Sequence, residues 1–288
     1  MGGCMLCPRR CGADREKGQR GVCGADGTVR VARAAPHYWE EPCLSGTRGS
    51  GTVFFTGCPL GCVYCQNRAI SSGGVGKPYS VAELAQVFRS LADSGVHNLN
   101  LVTPTHYTLQ IAQALELAAP TVPVVYNCGG YELPETLELM RGRVQVFLPD
   151  FKYAVAETAM RYSRAADYPQ VALAAIEKML EMVGEPRFDA DHRMLSGVMV
   201  RHLVLPGHTD DSMKALRMLH RRFGDSILLS VMNQYTPMPH LPFPELNRSV
   251  TEDEYALVLD YADYLGIERG FRKEGGAVGE SFIPDFEV

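Results

Sequence analysis

The chain has no apolar run approaching the ~20 residues that cross a bilayer. Its first residues, Met1-Gly-Gly-Cys-Met-Leu-Cys-Pro-Arg-Arg10, contain no apolar core of signal-peptide length. There is no Walker-type loop, no His-Glu-x-x-His pair and no Ser-His-Asp arrangement, so phosphate-cradling, zincin and triad chemistry have no motif to rest on. Internal repeats and low-complexity tracts are also missing, which argues against solenoid and linker architectures. A strong charge imbalance is lacking too. A net charge of −5 over 288 residues gives nucleic acid or an anionic membrane surface nothing to recognise, and neither is expected as a partner. Nor is there a disulfide framework: the nine cysteines are odd in number and bunched at metal-ligand spacings. A reducing cytoplasm is the expected compartment.

What is present is an ordinary globular composition, 46% hydrophobic and 21% charged, enough to bury a sizeable core. The length allows one large barrel or two modest domains. From residue 51 onward, strand-like runs alternate with helical patterns, the mark of βαβ units and a parallel sheet. Strands are expected at Thr52–Thr56, Asn98–Thr103, Thr121–Asn127, Val144–Leu148, Gly197–Leu205 and Ser226–Met232. Helices are expected at Val81–Ser94, Tyr107–Ala118, Pro134–Met140, Ala156–Arg164, Pro169–Val183, Asp210–Arg222 and Glu252–Leu265. Ser80 and Glu83 stand in capping-box positions before the first of these, and Gly95 stops it. Ser71–Pro78 and Thr236–Pro244, rich in Gly or Pro, are expected loops. Residues 1–46 differ in composition and form a cysteine-rich N-terminal extension, too short to bury a core unaided, ahead of a main unit at 47–288.

Directly after the first strand of that unit comes Cys58-Pro-Leu-Gly-Cys62-Val-Tyr-Cys65. Three thiolates on one loop are one ligand short of a closed tetrahedral zinc site or a fully protein-ligated four-iron cluster. A zinc site completed by Cys43, Cys128 or a histidine is one alternative. The C-x₃-C-x₂-C spacing, with Tyr64 before the third cysteine, resembles the signature of the radical S-adenosylmethionine (SAM) enzymes. The stretch Gly57–Arg68 and the later strand ends resemble the pyruvate formate-lyase activating enzymes, particularly their less-characterised relatives. The resemblance implies an α/β fold, an open partial (β/α)₆ barrel of TIM type with the cysteine loop at its C-terminal mouth. It implies a [4Fe–4S] cluster on Cys58, Cys62 and Cys65 whose fourth iron chelates SAM. One electron from the cluster then splits SAM into methionine and a 5′-deoxyadenosyl radical, which takes a hydrogen atom from the substrate.

The same resemblance carries onto the strand ends. Tyr64 would lie near the adenine of SAM, or simply pack in its loop. Leu101-Val-Thr-Pro-Thr-His106 stands where many relatives carry Gly-Gly-Glu, so Thr103 and Thr105 are SAM contacts by position alone, and Thr105 could equally cap the helix after it. Asn127, in Tyr126-Asn-Cys-Gly-Gly-Tyr131, is a candidate SAM ligand. Asp150 and Lys152, in Leu148-Pro-Asp-Phe-Lys-Tyr153, sit two apart and share a face of an extended chain. They suit the ribose hydroxyls and the SAM carboxylate, or a surface salt bridge. Arg201 interrupts the apolar run Val198-Met-Val-Arg-His-Leu-Val-Leu-Pro-Gly207, where a charge is costly unless paired, and is expected to fork onto the methionine carboxylate or pair with Asp150. His106, Cys128, Asn233, Gln234 and Tyr235 are possible substrate contacts, although His106 and Cys128 could also be buried structural residues.

The extension contributes Cys4-x₂-Cys7-x₃-Cys11-x₁₁-Cys23, the full count for a second metal, zinc or an auxiliary iron–sulfur cluster. The function implied is that of a radical SAM oxidoreductase of activating-enzyme type, served by a flavodoxin- or ferredoxin-type electron donor and acting on a protein or peptide. Action on a small molecule, peptide modification, and a non-enzymatic zinc or iron–sulfur module are the alternatives.

Overall fold

The computed structural model describes residues 3–238, 241–272 and 286. Its strands are β1 (Val29–His37), β2 (Ser50–Phe55), β3 (Lys77–Tyr79), β4 (Asn98–Val102), β5 (Val124–Cys128), β6 (Val146–Pro149), β7 (Arg187–Phe188), β8 (Met194–Leu203), β9 (Leu228–Met232) and β10 (Gly270–Arg272). The helices are α1 (Pro42–Ser45), α2 (Arg68–Ser71), α3 (Val81–Asp93), α4 (Thr108–Ala118), α5 (Pro134–Leu137), α6 (Ala156–Ser163), α7 (Tyr168–Val183), α8 (Thr209–Phe223) and α9 (Glu252–Tyr264). One sheet runs β10-β9-β8-β6-β5-β4-β2-β1-β3, with β7 paired to β8 off this path. From β2 to β10 along the sheet every neighbouring pair is parallel, while β1 is antiparallel to both β2 and β3.

Alternation along each strand sorts side chains to the two faces. Val53 and Phe55, Leu99 and Leu101, Tyr126, Phe147, Val198 and Val200, and Leu229 and Val231 join the large core under the helices. On the other face Val125, Val146, Leu148, Met199 and Leu228 cluster with Cys43 and Leu44 of α1, which plugs the concave side. This is a partial TIM-type barrel. Its six expected strands are all present, and the capping box of α3 forms, with Ser80 Oγ accepting from Glu83 N at 3.2 Å.

Three differences from the expected pattern have physical reasons. β1 lies inside the stretch read as aperiodic: only Val29 and Val31 alternate there, and its pairing with β2 comes from the rest of the sheet. β3 and β10 have three residues each, too few to carry a period, and β3 takes the end of the loop expected at Ser71–Pro78. α4 starts at Thr108 after a 3₁₀ turn, Thr105–Tyr107. Part of the loop expected at Thr236–Pro244 lies outside the described residues.

Candidate active site

The cysteine loop is set by the turn that ends β2. Gly57 has φ +90°, and a Cβ there would stand 2.6 Å from the Cys23 carbonyl oxygen and 3.1 Å from His106 Nε2, so this turn requires glycine. Cys58 N donates to Cys23 O at 3.0 Å, which ties the loop to the N-terminal extension. Arg9 adds to that tie, donating from Nε to Pro59 O at 2.8 Å and from Nη2 to Ser163 O at 2.7 Å. Val63 N reaches Tyr162 O at 2.9 Å, and Ser163 Oγ donates to Cys62 Sγ at 2.9 Å. Tyr64 is buried in the same loop. Tyr153, Tyr162 and Tyr235 each meet its ring edge-on, with centroids 6.1–6.4 Å away. Its packing therefore anchors the loop.

The three thiols act on one another electrostatically. Burial, and then the neighbouring Cys62 and Cys65, push the Cys58 thiol up to about 12. Burial and Cys62 raise Cys65 as well, against the nearby Lys152 ammonium. Thiolates here need positive charge beside them, and an iron–sulfur cluster supplies it with the soft donor set that it prefers. Among the described residues no three His, Cys, Asp or Glu side chains converge on a single-ion site. The residues present fit a cluster held by three thiolates: three half-buried cysteines on one loop, with the Lys152 ammonium within electrostatic reach, and one ligand position left to another molecule.

Beside this loop, at the ends of β5, β6 and β8, lies a polar network on the concave face. Arg201 Nε donates to Asp150 Oδ1 at 3.1 Å, Nη1 to Glu40 Oε2 at 3.2 Å and Nη2 to Asn127 Oδ1 at 2.6 Å. Lys152 Nζ donates to Asp150 Oδ2 at 2.6 Å. Asn100 Nδ2 completes the group, reaching Glu40 Oε1 at 2.7 Å. The net direction of each charge follows from the pairing. Burial favours neutral forms, yet Lys152 and Arg201 hold Asp150 below the usual carboxylate range. The Asp150 carboxylate likewise outweighs burial and holds Lys152 above the usual lysine range. Cys62 and Cys65 act on Lys152 in the same direction, so its ammonium lies within electrostatic reach of both the carboxylate and the cysteine loop. Thr103, at φ 58°, donates its N–H to Asn127 O at 2.8 Å and so turns the chain at the mouth.

The network thus brings together Asn127, Asp150, Lys152 and Arg201, with Thr103 at its rim. Glu40 and Asn100 were missed. Glu40 sits in a short acidic segment with no period. Asn100, a polar residue at an inward position of a buried strand, was the available signal.

Thr105, His106 and Cys128 lie instead on the helix side of the sheet. Asn127 faces inward, so its neighbour Cys128 must face outward. Thr105 Oγ1 donates to Glu132 Oε1 at 2.6 Å and Tyr126 Oη to Glu132 Oε2 at 3.2 Å. Burial pushes Glu132 up to about 7, against those donors and the Cys128 thiol. Thr105 makes no helix cap. The His106 Nε2–H donates to Thr56 O at 2.7 Å, and burial pushes the imidazole down to about 3, so it is a neutral strut under the β2 turn. At the mouth, Gln234 O accepts from Gln66 Nε2 at 2.9 Å beside the cysteine loop, and Asn233 is half-buried. Tyr235 is buried against Tyr64 and donates to Leu246 O at 2.6 Å.

In the extension, a Cβ at Gly21 would stand 3.1 Å from Cys11 Sγ and 3.4 Å from Cys23 Sγ, so these two thiols flank the same residue. Burial first, then Glu132, Cys23 and Cys4, push Cys7 up to about 12.

Residues 52–219 match the family model described as the Radical SAM superfamily. The uncharacterized protein MJ0674 of Methanocaldococcus jannaschii is 29% identical over 277 residues, covering 92% of this chain and 75% of that protein. The crystal structure of Streptococcus suis SuiB bound to S-adenosylmethionine matches with a TM-score of 0.52 at 13% identity over 76% of this chain. SuiB bound to its precursor peptide SuiA matches with the same TM-score at 12% identity. The chain spans about half the length of SuiB, 48% and 46% in the two structures.

Proposed function

The chain belongs to the radical SAM superfamily, and from that premise we propose an enzyme of activating type, which abstracts hydrogen from a protein or peptide. Membership implies a [4Fe–4S] cluster, SAM and a source of electrons. When bound, cluster and cofactor supply a 5′-deoxyadenosyl radical, and the protein supplies cavity, orientation and electrostatics.

The observation that carries the assignment of residues is the network beside the cysteine loop. Cys58, Cys62 and Cys65 would hold the cluster. Lys152 faces both the loop and Asp150, and this supports a role in receiving the SAM carboxylate. Arg201 uses three of its five N–H groups within the network, which leaves donors for the same carboxylate. Asp150 and Asn127 offer oxygens to ribose hydroxyls or the ammonium, and Thr103 sets the rim of the pocket. Tyr64 acts by bracing the loop. Asn233 and Gln234 stand where substrate would approach. The assignments of Thr105, His106, Cys128 and Tyr235 are best carried as support for the mouth rather than contact.

A protein or peptide substrate is favoured by the open sheet: among the described residues the two end strands, β10 and β3, do not pair with one another, so a loop of a partner can reach the mouth. SuiB, whose barrel shares this fold, has been crystallised with a precursor peptide. The cysteines Cys4, Cys7, Cys11 and Cys23 are proposed to hold a second metal. A flavodoxin- or ferredoxin-type protein is the proposed electron donor. Equilibrium binding of SAM tests the residue roles. Lys152→Met is expected to weaken SAM binding at least tenfold with iron content unchanged, and equal affinity would remove Lys152 from the site.

A further inference from the structure

The concave side of a barrel is usually filled by branched apolar residues. Here its β2–β4 side is polar, with Ser50 and Asn98 paired in register, and Thr52 with Asn100. All four side chains are buried. α1 and the chain just before it close over this stretch through two contacts: Asn98 Nδ2 donates to Leu44 O at 2.8 Å, and Asn100 Nδ2 to Glu40 Oε1 at 2.7 Å. Glu41 lies in sequence between those two anchors and is 1% exposed.

Five oxygens of this group are buried with no hydrogen-bond partner: both carboxylate oxygens of Glu41, the Oδ1 atoms of Asn98 and Asn100, and Ser50 Oγ. Flipping the amides offers no remedy. Asn98 Nδ2 already faces Leu44 O and Asn100 Nδ2 faces Glu40 Oε1, and a flip would set oxygen against oxygen. The Arg201 guanidinium feels the Glu41 charge, but its hydrogen bonds go to Asp150, Glu40 and Asn127. A buried carboxylate and amide oxygens left unpaired are costly.

We propose that the base of the barrel, between α1 and the first residues of β2 and β4, binds a compact monovalent cation. Its ligands are the Glu41 carboxylate, Asn98 Oδ1, Asn100 Oδ1 and Ser50 Oγ. An all-oxygen donor set suits a hard cation or a protonated amine. A single carboxylate among neutral oxygens matches one positive charge rather than two. Bound there, the cation neutralises Glu41 and locks α1 against the sheet, one residue from Glu40 of the proposed SAM pocket. This site is independent of the cluster, so its test is too.

The full-length chain, purified in tetramethylammonium chloride, is titrated at constant ionic strength with KCl, NaCl, NH₄Cl or methylammonium chloride while its Tm is followed. The expected result is a saturable rise of a few degrees with at least one compact cation. A response to K⁺ or Na⁺ identifies a free ion as occupant; a response confined to ammonium and methylammonium identifies an amine. Glu41→Gln should abolish the response, and the milder Ser50→Ala should raise the half-saturating concentration severalfold. A Tm indifferent to cation identity would mean that ordinary water fills the site, and it overturns the proposal. So does an unchanged midpoint in Ser50→Ala together with an intact response in Glu41→Gln.

Discussion

Replacing Arg201 by methionine keeps most of the side chain's length and removes the charge that joins three elements. The variant loses the hydrogen bonds to Asp150, Glu40 and Asn127 at 3.1, 3.2 and 2.6 Å. Asp150 keeps Lys152 at 2.6 Å, and Glu40 keeps the amides of Asn100 at 2.7 Å and Asn127 at 3.4 Å. Removing one partner of a buried ion pair costs about 3–5 kcal/mol. Arg201 and Asp150 retain 17% and 18% side-chain exposure, which places the cost at the low end, about 3 kcal/mol. At ~2–4 °C per kcal/mol for a chain of this class, Tm should fall by roughly 6–12 °C at a fixed scan rate. A Tm within about 2 °C of the parent would refute this account of the network.

Cys62→Ala should leave the far-ultraviolet circular dichroism of the chain unchanged, lower its iron content after reconstitution, and remove 5′-deoxyadenosine formation; cleavage at the parental rate contradicts the cluster assignment. Glu132 gives a pH prediction. Its folded-state pKa, about 7, is raised by burial above the ordinary 4.5, so its contribution to stability is full below about 4.5 and is lost as the pH rises to 7. Glu132→Gln should therefore gain stability on the parent between pH 5 and 7, by an amount on the order of 3 kcal/mol in urea titrations. A difference that is flat with pH would show that Glu132 is not held protonated by burial. Arg9→Ala removes the ties to Pro59 and Ser163 and should speed limited proteolysis of the extension at least severalfold, with a drop in Tm of about 2–4 °C. An unchanged digestion rate would mean that the thiol-rich segment holds itself in place.

The barrel strands were legible because each is a short apolar run, closed by a turn, whose burial on both faces leaves little else for it to be. The strand-end polar residues Asn127, Asp150, Lys152 and Arg201 were legible for the complementary reason, since charge at the end of such a run has to be paired. Glu40 was not. Its place depends on α1 folding back into the concave face, a contact between segments separated by 161 residues in the case of Arg201, and nothing local encodes it. The position of Cys128 was available in principle: strand alternation puts it opposite Asn127, and applying that rule would have moved it from the cavity to the helix side. Tyr64 shows the limit of resemblance. Its position next to the third cysteine is a motif feature, but the tyrosines around it come from three distant elements.

The measurement that bears most directly on the central claim is made on protein purified and reconstituted without oxygen: iron, sulfide and zinc per chain, with 5′-deoxyadenosine assayed after SAM and dithionite are added. About four irons with deoxyadenosine produced is the predicted minimum, and a value near eight would place a second cluster on the N-terminal cysteines. Zinc without iron, and no deoxyadenosine, would contradict the assignment of radical SAM chemistry to this site.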